Sequence, residues 1–363
     1  MPTPSPRARP SHHLGRWVLV GAPVLALGVA FSYTAGWLAP SRLSAQRIVD
    51  ALQQNAGWHP GYRRNHAKGV CVSGYFESNG AAAAYSVARV FAQGRTPVIG
   101  RLAIPGGNPA APDDSSPVRS LALRFDLPGG EQWRTGMNNM PVFVVATPQA
   151  FYEQLLAARP DPATHKPDPA RLAAFFAAHP ETGPFLAWAK TTRPSASFAT
   201  QSYYGLDAFY FIDAAGRKHP VRWRVAPETA DHTDAPAGPP SKDDLTDDLD
   251  RRLAQGPLRW HLLVTLGAPE DPTNDATRVW PAERPTIDAG TLVIEHAQDQ
   301  ASGPCRDVNY DPTVLPHGIA ISDDPLLAAR ASAYADSYRR RTGEEAHVPG
   351  SAPAADATKA SQP

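Results

Sequence analysis

Short runs of alternating apolar and polar residues are the feature that most constrains this fold. A strand that is buried on one face places apolar side chains at every second position. Runs of this kind predict strands over residues 70–76, 98–104, 121–126, 142–146, 209–212, 221–225, 260–266 and 291–295. Few of these runs have the spacing that parallel strands with a crossover helix require. The sequence therefore favours an antiparallel barrel over a doubly wound sheet.

Helical patterns separate some of the predicted strands. Residues 41–54, 81–91, 148–158, 169–179 and 243–255 are predicted as helices. The chain also contains 39 prolines, about twice the usual share, which argues against a helical bundle. The predicted fold class is therefore α+β, an eight-stranded antiparallel β-barrel with surrounding helices.

The N-terminal part of the chain differs from the rest. Residues 17–38 form an uncharged stretch of 22 residues, long enough to cross a bilayer core of roughly 30 Å. The arginines of the preceding segment favour a cytoplasmic N-terminus. We therefore predict a cytoplasmic tail over residues 1–16 and a single-pass inner-membrane anchor over residues 17–38. A cleaved signal peptide is the alternative, and either would place the remainder in the periplasm.

The rest of the chain is predicted to form one domain and a tail. Residues 39–346 contain all of the predicted strands, whereas residues 347–363 are poor in hydrophobic residues and are predicted to be disordered. The 35 basic and 35 acidic residues cancel, so the composition does not favour a nucleic-acid partner.

Two cysteines occur, Cys71 and Cys305, and no CxxC motif is present. This arrangement indicates neither a zinc site nor a thioredoxin-like motif. Cys71 lies in a predicted strand, so the sequence favours a buried thiol over a disulfide, which an oxidising compartment would permit.

Residues 61–77, GYRRNHAKGVCVSGYFE, combine basic side chains with a strand-like run. Arg63, Arg64, His66 and Lys68 precede the alternating run that starts at Val70. Such a segment suits an anionic ligand and proton transfer, because imidazole titrates near neutrality. From this stretch alone, a basic loop at the edge of a strand is the simpler interpretation.

This segment, Arg-x-x-His-Ala-Lys-Gly leading to Gly-Tyr-Phe-Glu, resembles the distal histidine segment of the haem catalases. Residues 137–143, MNNMPVF, resemble the asparagine segment of that family, and residues 322–336 resemble its proximal segment, with Arg330 four residues before Tyr334. Shorter similarities occur in residues 96–101, 119–125, 279–281 and 310–319. All of them follow the order of the family. The resemblance extends over residues 60–343 and implies a barrel of the catalase type.

The resemblance also implies a set of roles around a haem b group. His66 would move protons on the distal face, and Asn138 would donate a hydrogen bond to peroxide oxygen. Phe151 would form an aromatic wall beside the haem. On the proximal face, Tyr334 would bind the iron as a tyrosinate. Arg330, one helical turn earlier, would stabilise this anion, because a phenol has an ordinary pKa of about 10.

Haem carboxylates need cationic partners. The resemblance assigns this role to Arg63, Arg101 and Arg341, and the planar guanidinium group suits it because it can bind a carboxylate at two points.

The sequence departs from the family at positions near His66. Ala103 stands where a serine commonly helps to hold the distal histidine, and Asn65 replaces a small apolar residue. Segments of full-length catalases at both termini and in the middle are also missing. The chain therefore resembles the minimal, catalase-related peroxidases.

The predicted function is a haem peroxidase that reduces organic peroxides and hydrogen peroxide with electrons from a small organic donor. A true catalase that disproportionates hydrogen peroxide, and a haem-binding barrel without turnover, are the alternatives. The tetramer of full-length catalases is not expected, and the sequence leaves the oligomeric state open.

Overall fold

The computed structural model describes residues 13–34, 43–228 and 242–346. Its helices are α1 (His13–Thr34), α2 (Ala45–Ala56), α3 (Pro148–Ala157), α4 (Pro169–Ala178), α5 (Gly183–Thr191), α6 (Asp244–Leu253) and α7 (Pro325–Glu345). Its strands are β1 (Gly69–Ser78), β2 (Gly94–Ala103), β3 (Ser120–Asp126), β4 (Gln132–Asn138), β5 (Tyr203–Ile212), β6 (Lys218–Pro227), β7 (Leu258–Leu266), β8 (Thr286–Asp299) and β9 (Ile319–Ile321). The predictions for residues 1–12 and for the tail 347–363 lie outside the described residues.

The strands form a closed antiparallel barrel. Neighbouring strands follow the order β4-β3-β2-β1-β8-β7-β6-β5, and the pairing of Asn138 in β4 with Tyr204 in β5 closes the ring. The short strand β9 pairs with β5 at residues 209–211 and adds to these eight. The predicted eight-stranded antiparallel barrel is therefore confirmed.

Large aromatic side chains fill the interior of the barrel. Trp133 of β4 stacks on Phe125 of β3 with ring centroids 4.7 Å apart, and its ring meets Trp223 of β6 edge-on at 5.1 Å. Each of these rings is at most 3% exposed. Burial of a side chain of this size stabilises the fold by about 1.5–3 kcal/mol. The side chains at the alternate positions of β1–β4 point away from this interior and form the outer face of the barrel.

One predicted strand is wrong. Residues 142–146 are not a strand: Val142, Val144 and Val145 are buried in irregular backbone, and the last two pack in a small side cluster. The strand in this part of the chain is β4, in which buried and partly exposed residues alternate. The other predicted strands overlap β1–β3 and β5–β8, including the predicted hairpin of β5 and β6.

The helix predicted over residues 81–91 is also wrong. This segment contains two short 3-10 turns, Ala81–Ala84 and Arg89–Phe91. Between them, the backbone N–H of Val87 donates to the carbonyl of Ile212 (2.9 Å), and the hydroxyl of Ser86 donates to the carbonyl of Gly318 (2.8 Å). These tertiary hydrogen bonds replace the bonds that a continuous helix would make. The remaining predicted helices correspond to α2, α3, α4 and α6, and α5 was not predicted.

The N-terminal helix α1 belongs to a separate unit, which comprises residues 1–44. It overlaps most of the anchor predicted over residues 17–38, and residues 35–38 of that anchor lie outside the described residues. None of the helices in the described part of the chain is long and apolar enough to span a membrane.

Cys71 and Cys305 form a disulfide, so the prediction of a buried thiol at Cys71 is wrong. Their Cα atoms are 5.3 Å apart, within the range that a disulfide bridges. Cys71 lies in β1, and the chain that leaves β8 turns back over this strand and brings Cys305 against it. The strand pattern around Cys71 did not reveal this return, because the partner is 234 residues away.

Candidate active site

The register of β1–β4 places two rows of mostly small residues on the outer face of the barrel. In the first row, Cys71, Arg101, Ala122 and Gly136 lie opposite one another on successive strands. In the second row, Gly69, Ala103, Ser120 and Asn138 do the same. We call these eight residues the ledge. Five of them are glycine, alanine or serine. The ledge therefore consists mostly of short side chains, and the longer side chains of Arg101 and Asn138 rise above them.

The segment that carries Arg63 and His66 is fastened on both sides. The guanidinium group of Arg64 donates to the carboxylate of Glu344 near the end of α7 (3.0 Å). After His66, the ammonium group of Lys68 lies 2.7 Å from the carboxylate of Asp113. Arg64 and Lys68, which the sequence grouped with the candidate site residues, therefore hold the segment in place.

His66 adopts a left-handed backbone conformation with φ 56°, which is uncommon for a residue other than glycine. The side-chain oxygen of Asn65 accepts hydrogen bonds from the backbone N–H groups of His66 (3.0 Å) and Gly106 (2.8 Å). Asn65 thus stabilises the turn that carries His66.

The imidazole of His66 is held in its neutral form. Burial lowers its pKa from the usual 6.5 to about 4, and the positive charge of Arg101 adds to this effect, while a hydrogen bond to the backbone of Ile104 opposes it. Its Nδ1 atom is inaccessible and has no hydrogen-bond partner among the described residues. A neutral ring can accept a proton at neutral pH, but Nδ1, one of its two nitrogen atoms, forms no hydrogen bond with the described residues.

Asn138 is the last residue of β4 and lies on the ledge next to Ser120. The hydroxyl of Ser120 donates to its side-chain Oδ1 at 2.5 Å. This bond occupies the acceptor side of the amide and leaves the NH₂ group as the donor. The adjacent Asn139 has a structural role, since its amide donates to the carbonyl of Pro117 and to Gln201.

Phe151 lies on α3 and packs against Phe143, with ring centroids 6.0 Å apart. Phe143 follows Asn138 by five residues, so the Phe pair borders the chain that leaves β4. Both rings pack against the small buried cluster that contains Val144, Val145, Ala150 and Phe175.

Tyr334 and Arg330 lie on the same face of α7 and meet the ledge at Gly136. A Cβ atom at position 136 would lie 3.2 Å from the guanidinium group of Arg330 and 3.6 Å from the hydroxyl of Tyr334. Glycine is therefore the residue that leaves most room for both groups. The guanidinium carbon of Arg330 lies 5.9 Å from the centre of the Tyr334 ring.

Arg330 is fixed by partners on the barrel. It forms a hydrogen-bonded ion pair with the buried carboxylate of Asp207 in β5 and also donates to the carbonyl of Gly136 (3.5 Å). Burial lowers the pKa of Arg330, but the carboxylate of Asp207 and the phenol of Tyr334 outweigh burial and raise it above its ordinary value. A permanent cation is thus held beside the Tyr334 hydroxyl.

A second buried carboxylate lies at the start of α7. Asp324 is the N-cap of the helix, and its Oδ1 accepts from the backbone N–H of Leu326 at 2.9 Å. Its Oδ2 has no hydrogen-bond partner among the described residues. Burial and the nearby charge of Asp207 raise the pKa of Asp324 to about 7.

The arginines Arg63, Arg101 and Arg341 form a buried cationic cluster. Burial lowers the pKa of all three. Arg341 lowers the pKa of Arg63 further, to about 10. The charge of Arg63 adds to the effect of burial on Arg101, whose pKa lies well below its ordinary value. Among the described residues, neither Arg63 nor Arg101 forms an ion pair with a carboxylate. Such a cluster is stabilised by an anion that binds between the guanidinium groups.

Most of the predicted site residues come together around the ledge. His66 is within electrostatic range of Arg63, Arg101 and Arg330, and Arg63 is within range of Tyr334. Three further residues of the candidate site were not predicted from the sequence: Asp207, Ser120 and Gly136. Asp207 lies in β5, 123 residues before Arg330, and no local pattern pointed to it.

The chain belongs to the catalase family, because the sequence profile of that family matches residues 29–361. The resemblance that the motifs predicted is therefore confirmed. Solved catalase structures share the fold. A bacterial catalase has a TM-score of 0.69 at 22% identity, with 87% of this chain and 64% of that chain covered. Catalase A from Saccharomyces cerevisiae also has a TM-score of 0.69, at 21% identity, with 77% and 61% covered.

Within the family, the chain is similar to catalase-related peroxidases. It is 36% identical over 329 residues to one from Synechococcus elongatus, which covers 90% of this chain and 96% of that relative. It is 32% identical over 304 residues to another from Mycolicibacterium paratuberculosis, with 83% and 96% covered. By contrast, a catalase from Vibrio vulnificus is 27% identical over 327 residues, and only 64% of that relative is covered.

Proposed function

We propose that this protein is a haem-dependent peroxidase that reduces organic peroxides and hydrogen peroxide with electrons from a small organic donor. Its membership of the catalase family and its similarity to catalase-related peroxidases support an oxidoreductase of the haem peroxidase kind. The observation that carries the proposal is the Tyr334–Arg330 pair at Gly136, which lies close to a buried cluster of arginines.

The described residues fit a haem b group. Haem b has two carboxylates, a flat apolar ring and an iron atom. The cluster of Arg63, Arg101 and Arg341 suits the carboxylates, and the Nε atoms of Arg101 and Arg341 are buried with no hydrogen-bond partner among the described residues. The small side chains of the ledge suit the ring, and Tyr334 supplies an oxygen ligand of the type used by catalases. When bound, the haem would supply a redox-active iron that takes up the oxidising equivalents of the peroxide.

The residues of the chain would prepare the peroxide for cleavage. The neutral imidazole of His66 would accept the proton of the bound O–H group and return it to the departing oxygen. Asn138, with its acceptor occupied by Ser120, would donate a hydrogen bond to peroxide oxygen. On the opposite side, Arg330 would stabilise the deprotonated form of Tyr334.

The peroxidase proposal is supported by the hydrogen bonding of the His66 ring, which bonds the backbone of Ile104 but leaves Nδ1 without a partner among the described residues. Disproportionation of hydrogen peroxide needs a second peroxide in the same geometry, with further proton transfers by the same base. A displacement of about 1 Å can reduce a rate by ~100-fold. The Nδ1 atom of His66 is without a partner among the described residues, and Ala103 has no hydroxyl to offer it. Oxidation of an organic donor makes smaller demands, because an electron can reach the edge of the ring from outside.

We also propose that the haem domain works outside the cytoplasm. The Cys71–Cys305 disulfide supports this, because disulfides persist in oxidising compartments. The inner-membrane anchor over residues 17–38 stays a prediction. Fractionation of cells that express the full chain tests it, and a mature chain that starts after residue 38 would indicate a cleaved signal instead.

The test of the proposed function uses His66→Ala in the haem-loaded protein. The variant should keep its haem, as seen in the absorption spectrum, and should lose peroxide-dependent oxidation of a dye-like donor by at least about 100-fold. His296→Ala, at an exposed position on β8, is the matched control and should keep its activity. Full activity in His66→Ala would contradict the proposed role, and haem binding without turnover in the wild type would indicate a haem-binding barrel.

A further inference from the structure

The loop between β8 and Tyr310, residues 300–309, supplies backbone acceptors to the arginine cluster. One nitrogen of Arg63, Nη2, lies within hydrogen-bond distance of the carbonyls of Cys305 (3.0 Å), Arg306 (3.1 Å) and Val308 (3.0 Å). The Nη1 atom of Arg341 also donates to the carbonyl of Arg306 (2.7 Å). Two like-charged side chains are thus oriented by the same short stretch of backbone.

This arrangement depends on the conformation of the loop. A backbone carbonyl can be aimed only if its peptide plane is fixed. The loop makes tight turns, in which Gly303 N–H donates to Asp299 (2.7 Å) and Arg306 N–H donates to Gly303 (3.1 Å). The first of these bonds joins the loop to the last residue of β8. Arg134 of β4 also donates to the carbonyl of Asn309 (2.6 Å), and Gln300 donates to the carbonyl of Ala67 (3.1 Å). These bonds hold the two ends of the loop.

The disulfide is the covalent tie between the loop and the barrel. Cys71 lies in the first row of the ledge, directly opposite Arg101 in the register of β1 and β2. Its partner Cys305 is one of the three residues whose carbonyls face Arg63. Cys71, Cys305, Val308 and Tyr310 form a buried apolar cluster, and Tyr334 packs against it. The cluster that contains the disulfide therefore contacts Tyr334, and its member Cys305 also accepts a hydrogen bond from Arg63.

The loop also has little space to shift while the disulfide is intact. A Cβ atom added to Gly303 would lie 2.7 Å from Cβ and 2.8 Å from Sγ of Cys71. The backbone at Gly303 is thus packed directly on the Cys71 side chain.

We propose that the Cys71–Cys305 disulfide is a positioning element for haem binding: it fixes the loop whose carbonyls aim Arg63 and Arg341 at the haem carboxylates. This inference rests on the proposed function. Without the disulfide, the carbonyls no longer fix the directions of the two guanidinium groups, although Arg341 keeps its ion pair with Glu345 (3.6 Å). The haem carboxylates then lose oriented partners, whereas Tyr334 keeps the oxygen that would bind the iron.

The test compares two haems in the full chain with Cys71→Ala and Cys305→Ala together. One is haem b, and the other is its dimethyl ester, which has the same ring and iron but no carboxylates. The double variant should bind haem b about tenfold more weakly, which is the scale of one hydrogen bond to a charged group. Its affinity for the diester should stay within about twofold of that of the wild type, because the arginines have nothing to bind there.

Two controls separate positioning from loss of stability. Val264→Ala removes a buried side chain from the barrel interior and should weaken neither haem, even if the melting temperature falls. Gly303→Ala keeps both cysteines but displaces the loop from Cys71, so it should weaken haem b as the double variant does. It also serves as the second route if the double variant does not fold.

A coupling measurement completes the test. In the background of Arg63→Ala, removal of the disulfide should cost less haem affinity than in the wild type, because one of the two groups it orients is absent. Unchanged haem b affinity in the double variant, or an equal loss for haem b and its diester, would overturn the inference. A wild-type chain that binds no haem at all would instead contradict the proposed function.

Discussion

The two sides of the candidate haem site are built differently. On the proximal side, Tyr334 and Arg330 lie on a long capped helix, and Arg330 is fixed by Asp207 and by the carbonyl of Gly136. On the distal side, His66 lies on a loop with a left-handed backbone, and its Nδ1 has no partner among the described residues. On the proximal side Arg330 has two partners that fix its position, whereas on the distal side one nitrogen atom of His66 has no partner among the described residues.

The difference teaches where function can vary within this fold. Under the proposed function, loss of Tyr334 would remove the iron ligand and hence the cofactor. A change in the orientation of His66 would leave the cofactor in place and change which reaction proceeds fastest. The unpartnered Nδ1 of His66 is therefore the feature that we connect to peroxidase rather than catalase activity.

The largest effect is expected from Tyr334→Phe. Phenylalanine keeps the packing of the ring but removes the oxygen that we assign to iron, so most of the haem should be lost. The haem content of the purified protein, measured by absorption per chain, checks this. Tyr338→Phe, one helical turn later on α7, is the matched control and should retain its haem. Full haem content in Tyr334→Phe would show that the proximal assignment is wrong.

A smaller effect is expected from Ala103→Ser on the distal side. Ala103 is adjacent to Ile104, whose backbone bonds the His66 ring, and a hydroxyl there should give Nδ1 a partner. We expect oxygen release from hydrogen peroxide to rise by up to about tenfold, with donor oxidation changed less. Ala320→Ser on β9 adds the same hydroxyl elsewhere and should change neither rate. An unchanged ratio of the two rates in Ala103→Ser would separate the orientation of His66 from the choice of reaction.

The smallest effect concerns the start of α7 and depends on pH. Burial and Asp207 raise the pKa of Asp324 to about 7, whereas its unfolded value is near 3.8. The folded state therefore keeps a proton that the unfolded state has lost, and stability falls as the pH rises from about 4 to 7. Arg330 and Arg222 reduce this cost in part.

Asp324→Asn should remove the cost while keeping the helix cap, because asparagine is also a good N-cap. Its melting temperature should exceed that of the wild type at pH 8 and match it near pH 4. The exposed neighbour Asp323 provides the control, because Asp323→Asn leaves Asp324 in place and its melting temperature should follow that of the wild type at both pH values. Destabilisation of Asp324→Asn at pH 8 would mean that the carboxylate is needed by Arg330 or Arg222.

Local patterns were enough to predict much of the fold. Alternation along the chain predicted most of the barrel, because one face of each strand is buried. It failed at β4, where only Trp133 and Met137 are large apolar residues, while the more apolar residues 142–146 are irregular. Hydrophobicity alone does not distinguish a strand from a buried irregular segment.

The same limit applies to the site. Arg330 and Tyr334 are four residues apart on one helix, and Arg63 and His66 share one segment, so their spacing could be read directly. The residues that these side chains contact could not be predicted from such spacing. Asp207 is 123 residues from Arg330, and Cys305 is 234 residues from Cys71. Such pairs are created by the closure of the barrel and by the return of the chain over β1, which no local pattern encodes.

The measurement that tests the account most directly compares two rates on one haem-loaded sample. Oxidation of a dye-like donor with an organic peroxide is followed by absorbance, and oxygen release from hydrogen peroxide is followed with an electrode. We expect measurable donor oxidation together with oxygen release far below that of a full-length catalase measured in parallel. Oxygen release at the rate of the full-length catalase, with no donor oxidation, would contradict the peroxidase proposal and indicate a small catalase.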